Sequence, residues 1–167
     1  MTNRKQSSAG ERKRPVLVPV DFSEHSRAAL RWAAEAAPCF DAPIIALHVV
    51  HDPEAGPGFY TRPERNGFLR RMEDAGGELM EEFLDRVRRE NPDLNALRNL
   101  ETLLVVGLPT TRILEVAEKT GAQMIVMGSQ GRTGLSRFLL GSKAQRVVQL
   151  APIPVTIVKA RRARKKG

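Results

Sequence analysis

The residues whose types and spacing could do chemistry gather in one stretch and one isolated acid. Residues 128–143 read GSQGRTGLSRFLLGSK, with Gly128, Gly131 and Gly134 early and Gly141 directly before Ser142. Glycines admit positive φ and close backbone approach, and free N–H groups where a helix begins attract an anion. The stretch is therefore a candidate phosphate cradle; the alternative is that its glycines serve only a tight strand-to-helix turn. The acid is Asp21, straight after the apolar run VLVPV. Its carboxylate could bond a ligand or simply cap the following turn or helix. Spacing excludes better-known devices. A Walker loop needs G-x-x-x-x-G-K-[ST], but Gly141 is followed by Ser142 and then Lys143. The G-x-G-x-x-G fingerprint is missing, and neither Ser129 nor Ser136 sits in G-x-S-x-G. No machinery for hydrolysis is visible.

The elements that must position these residues alternate short apolar runs with helical ones, the mark of a parallel sheet with crossover helices. Strands are predicted at Val16–Val20, Ile44–Val50, Leu100–Val106, Met124–Met127 and Val155–Lys159. The unbroken β-branched runs imply cover on both faces. Four helices lie between them. The first follows Ser23, a candidate N-cap, with Ala29, Leu30, Ala33, Ala34 and Ala37 on its apolar face and a stop at Pro38 and 41–43. The second, amphipathic, runs from about Phe68 to Arg89, with Phe68, Met72, Ala75, Leu79, Phe83 and Val87 at turn spacing and Met72 and Met80 on its apolar side. The third spans Thr110–Thr120, with Ile113, Leu114 and Ala117 inward, and the fourth spans Ser142–Leu150. Residues 51–67, rich in Pro and Gly, read as a long loop. In such a sheet ligands bind beyond the carboxyl ends of strands where the winding reverses, so the loops opening at Asp21, Val50 and Gly128 are the places to search.

Composition narrows the function further. The 167 residues fit one domain. With one Trp, one Tyr and 5% aromatic content there is little surface for stacking bases. The single Cys39 cannot form an intrachain disulfide, which fits a reducing cytoplasm. No apolar run spans a bilayer, and the first residues lack the apolar middle of a secretory signal. The net charge is +8, but residues 1–14 carry +4 and residues 161–167 carry +5, leaving −1 for residues 15–160. Two basic, flexible tails around a nearly neutral domain are expected. Salt-sensitive attraction of those tails to nucleic acid is their alternative use. His48, inside an apolar strand, is expected to be a hydrogen-bonded core residue. His25 and His51 are expected on the surface, and Cys39 as a small buried group.

Four separated segments resemble the universal stress protein family in its ATP-binding branch. Gly128-x-x-Gly131, nine further residues and Gly141-Ser142 are similar to that family's nucleotide-binding signature. Val18-Pro19-Val20-Asp21-Phe22-Ser23-Glu24 is similar to its first strand and turn, and Leu47-His48-Val49 and Val106-Gly107-Leu108-Pro109 agree as well. The resemblance covers about residues 15–160. It implies an α/β fold: a single doubly wound, five-stranded parallel sheet in the order 3-2-1-4-5 with helices on both faces, assembled as a homodimer through the last strand. It also implies ATP, with or without Mg or Mn, in the crevice between strands one and four. By that resemblance Pro19, Val20 and Asp21 hold the adenosine, Val49 meets the adenine, and Met127, Gly128, Ser129, Gln130 and Gly131 wrap the ribose and phosphates. Gly141, Ser142 and Lys143 supply donors at a helix start, and Arg132 adds charge. Members often carry His where this chain has Gln130, which changes the local donor set. The implied role is a nucleotide-dependent switch in the stress response. The rival readings are a slow ATPase or phosphotransferase using Asp21, and a nucleic-acid adaptor acting through the tails.

Overall fold

Strand and helix alternate along the chain because apolar runs of four to eight residues are separated by segments of helical period. The computed structural model describes residues 13–51, 65–131 and 140–160. Strands β1 (Val16–Val20), β2 (Ile44–His51), β3 (Glu101–Gly107), β4 (Met124–Gly128) and β5 (Val155–Val158) form one parallel sheet in the order β3-β2-β1-β4-β5. The helices are α1 (Glu24–Phe40), α2 (Arg65–Glu90), α3 (Pro109–Lys119) and α4 (Ser142–Leu150). Both the fold class and the strand order implied by the resemblance are those observed.

Period-two alternation splits the core into two layers. Val16, Val18 and Val20 of β1, with Ala46 and Val126, pack under Ala29, Leu30 and Ala33 of α1 and Met80, Phe83 and Val87 of α2. Leu17, Leu47, Ile125 and Met127 face the other way, against Ile113 and Ala117 of α3 and Ala144 and Val147 of α4. Leu17, Leu30, Leu47 and Ile125 are wholly buried, each stabilising by about 1.5–3 kcal/mol.

Several local expectations need correction. Pro38 does not stop α1: its ring fits helical φ, and the helix runs two residues further to Phe40, where the C-cap Asp41 is held left-handed at φ 45 with its N–H on the Ala37 carbonyl. Cys39, beside that proline, is exposed rather than buried. In α2 the inward face is Gly76, Met80, Phe83, Leu84 and Val87, whereas Ala75 and Leu79 are exposed. The physical reason is close approach: a Cβ on Gly76 would stand 3.1 Å from Val50 Cγ2, so the helix contacts the sheet where it has no side chain. Most of the expected 51–67 loop lies outside the described residues, but His51 ends β2 and residues 65–67 open α2. Of the basic tails, only Lys13 and Arg14 are described.

Candidate functional site

The sheet reverses its winding between β1 and β4, and there its ladder is incomplete. All five residues of β1 pair with β2, from Val16↔Ile44 to Val20↔His48. Toward β4 only Val16↔Met124 and Leu17↔Ile125 pair. The ladder stops two residues before Pro19, which has no N–H to extend it. A proline in a central strand is thus explained: it leaves the carboxyl ends of β1 and β4 without mutual hydrogen bonds at the point where open α/β sheets form crevices.

Asp21 emerges from β1 at this point. Its Oδ1 accepts hydrogen bonds from the Ser23 hydroxyl at 2.6 Å and the Ser23 N–H at 3.2 Å. Ser23 in turn caps α1, its hydroxyl accepting from Ser26 N–H at 3.1 Å. Asp21 therefore does brace the cap, as the plainer reading held, but with one oxygen only. Among the described residues no donor reaches Oδ2, which faces Gly131 so closely that a Cβ there would lie 2.7 Å from it.

Sequence reasoning gave no role to the residue between Asp21 and Ser23. Phe22 adopts a left-handed φ of 66, a conformation costly for a bulky side chain. Its ring lies 4.2 Å from that of His48 and 5.6 Å from that of Phe83. His48 is hydrogen-bonded, as expected, but half-buried rather than in the core: its Nδ1–H donates to the Val20 carbonyl at 2.9 Å. These contacts hold the strained turn that aims Asp21 at Gly131.

The Gly-rich stretch is pinned at its base. Ser129 donates its N–H to the Val158 carbonyl and accepts from Gly141 N–H, both at 2.8 Å. This closure brings Gly128-x-x-Gly131 against Gly141: a Cβ on Gly141 would lie 3.5 Å from Gln130 Cα. The Ser129 side chain, 5% exposed, donates to His25 Nδ1 at 3.1 Å. The same nitrogen accepts the Ala160 N–H at 3.2 Å. His25, expected on the surface, is instead part of the frame beneath the loop. Gly128 is required there, because a Cβ would stand 2.7 Å from the His25 backbone carbonyl carbon.

At the far side, α4 begins at Ser142, and its N-cap Gly141 supplies no side-chain hydrogen bond. Among the described residues no acceptor takes the N–H groups of Ser142, Lys143 and Ala144. Ser142 and Lys143 are exposed. Met127 is buried and Val49 half-buried, both in the core under α3 and α4, and Pro19 and Val20 are buried in β1. The expected site residues thus converge on the carboxyl edge of β1, β2 and β4. Arg132 lies outside the described residues.

The donor set fits a nucleotide. A carboxylate oxygen that no described residue engages suits a ribose or base donor, and amides at a helix start with no described acceptor suit phosphate oxygens. Gly131 keeps side-chain bulk out of the space between them.

Comparison with known proteins agrees with this geometry. The model of the universal stress protein family matches residues 13–159. A universal stress protein of Methanocaldococcus jannaschii is 35% identical over 144 residues, covering 86% of this chain and 81% of that protein. One from Bacillus subtilis is 31% identical, covering 86% and 97%. Among solved structures, the universal stress protein of Lactobacillus plantarum is 28% identical with a TM-score of 0.70, covering 89% of this chain and 99% of that one. The chain belongs to the universal stress protein family.

Proposed function

We propose that this chain binds ATP between the carboxyl ends of β1 and β4 and works as a nucleotide-dependent regulator in the stress response. The observation that carries this reading is the interrupted β1–β4 ladder, with an Asp21 oxygen that no described residue engages on one side and the start of α4, without a side-chain cap, on the other. Asp21 would accept from the ribose or base, beside Pro19, Val20 and Val49. The amides of Ser142 and Lys143 would meet the phosphates, with Met127, Gly128, Gln130 and Gly131 shaping the wall and Arg132 adding charge. Ser129 would act by holding the loop closed rather than by touching ligand, since its amide, carbonyl and hydroxyl are engaged. ATP, with or without Mg or Mn, supplies differential binding energy, and occupancy shifts the population of neighbouring surfaces without any need for turnover.

Two fold relatives were solved with cAMP and dAMP. At 23% and 24% identity they speak for the fold, and the nucleotide reading rests on the geometry above. We place the working chain in the cytoplasm, in keeping with its one cysteine; among the described residues no helix is long and apolar enough to cross a membrane. We assign it a homodimer formed through β5, a half-buried edge strand beside the exposed Val148 and Leu150 of α4.

Calorimetric titration with ATP tests the reading. Saturable one-site binding that is lost in Gly131→Val and weakened in Asp21→Ala supports it; equal affinity in all three proteins removes these residues from the site.

A further inference from the structure

His25 ties the two walls of the crevice together through one ring nitrogen. It stands in the first turn of α1, four residues after Asp21, and its Nδ1 meets the Ala160 N–H at 3.2 Å and the Ser129 hydroxyl at 3.1 Å. A main-chain N–H can only donate, so Nδ1 carries no proton and the ring is the neutral tautomer protonated at Nε2. The Ser129 hydroxyl must then donate as well. Two donors, one from the Gly-rich loop and one from the residue that follows β5 and Lys159, share a single acceptor.

The crevice is built around the residue this nitrogen holds. The Ser129 carbonyl accepts the Gly141 N–H, which seats the start of α4, and two residues beyond Ser129 stands Gly131, against Asp21 Oδ2. Main-chain pairing does not fix the gap between these walls, because the β1–β4 ladder ends at Leu17↔Ile125. Side-chain ties from α1 to Ser129 therefore help to set it. A proton on Nδ1 would turn this tie's acceptor into a donor. The Ser129 hydroxyl can rotate to accept from it, but the Ala160 N–H cannot, so that bond is lost and two N–H groups face each other. No described group answers the added charge. Strand β4, Ser129 and Gln130 carry none, the end of β5 offers the exposed Lys159, and the start of α4 offers the exposed Lys143. The turn after β1 offers Asp21, with Oδ1 held by Ser23. Beside His25 on α1, Glu24 pairs with Arg27, which also pairs with Glu90 of α2. Among the described residues none forms an ion pair with the ring.

We infer that His25 is a positioning residue for the nucleotide site, holding the base of the Gly-rich loop against α1 only while its ring is neutral, so that acidification loosens the grip on ligand. The inference rests on the nucleotide reading above. Histidine changes charge between about pH 5 and 8. The tie is whole at the alkaline end of that range and lost toward the acid end, so affinity falls as pH falls. Loss of one neutral hydrogen bond from the ligand-ready form predicts a fall of about 2- to 10-fold. By linkage, binding to the protonated form releases a proton.

Calorimetry with ATP across about pH 5.5 to 8 tests it on the full chain, His25→Asn and His25→Ala. The Asn amide oxygen takes the place of Nδ1, accepts both donors and does not titrate. Protonation of ATP itself is common to the three proteins, so their comparison isolates the ring. The inference predicts that acidification costs the full chain about 2- to 10-fold more affinity than it costs His25→Asn. At the alkaline end Asn should recover most of the affinity that Ala loses, and the Asn comparison decides even where His25→Ala does not fold. Nitrogen NMR should show an unprotonated Nδ1 at the alkaline end for the ring whose signal is absent from His25→Asn. Parallel pH profiles in the full chain and His25→Asn, a full chain whose affinity relative to Asn rises in acid, or a proton on Nδ1 at the alkaline end overturns the inference and leaves the nucleotide reading in place. A full chain that takes up no ATP at any pH overturns both.

Discussion

A methyl group added at Gly131 separates ligand binding from folding. Gly131 is exposed and its backbone is not in the left-handed region, so alanine is conformationally acceptable there. Its Cβ, however, would lie 2.7 Å from Asp21 Oδ2, against an ordinary contact distance of at least 3.4 Å. The carboxylate must retreat by about 0.7 Å or more, and it cannot do so freely because Oδ1 is held by the Ser23 hydroxyl and N–H. Displacing it forfeits a hydrogen bond from ligand to a charged acceptor, worth about 1.5–3 kcal/mol, or roughly 10- to 100-fold in affinity. Gly131→Ala should therefore weaken ATP binding by that factor, with urea stability changed by no more than about 0.5 kcal/mol. In an Asp21→Ala background the added methyl meets nothing at that point, so the two losses should fail to add by about the size of one. Calorimetry on the four proteins of this cycle reads the coupling. Full additivity, or an unaltered affinity in Gly131→Ala, would refute the placement of Asp21 against the ligand.

Other perturbations probe the frame. Gly128→Ala should cost about 1–3 kcal/mol in a urea melt, because its Cβ meets the backbone of His25, which has no rotamer to yield. His25→Ala strands the buried Ser129 hydroxyl and the Ala160 N–H and should cost about 1–3 kcal/mol by the same assay. Glycine at position 22 should be more stable than alanine there by about 1 kcal/mol, since both lose the ring contacts but only alanine keeps the left-handed strain. Leu30→Ala, in a wholly buried position, should lower stability by about 2–5 kcal/mol.

Much of this fold was legible in the sequence because burial on both faces writes long apolar runs. VLVPV and IIALHVV needed no tertiary information, and the Ala-rich face of α1 follows the helical period residue for residue. The inward face of α2 was misread because periodicity counts apolar atoms, whereas the contact at Gly76 depends on an atom that is missing. In the site, Asp21 and the spaced glycines stood out by type and by their place after apolar runs. His25 did not. Its partners Ser129 and Ala160 are 104 and 135 residues away, and no local pattern reports such a pairing. The left-handed Phe22 was equally hidden, since phenylalanine is a poor signal for positive φ and only the rings of His48 and Phe83 explain it. Pro19 was visible but its consequence was not, because an interrupted ladder exists only once β4 lies beside β1.

A crystal structure of the full chain grown with ATP tests the central claim most directly. The account predicts purine and ribose between the carboxyl ends of β1 and β4, a hydroxyl or base donor on Asp21 Oδ2, and phosphate oxygens at the amides of Ser142 and Lys143. Density for the nucleotide at the amino edge of the sheet, or a gap beside Pro19 filled by the chain's own apolar side chains, would contradict it.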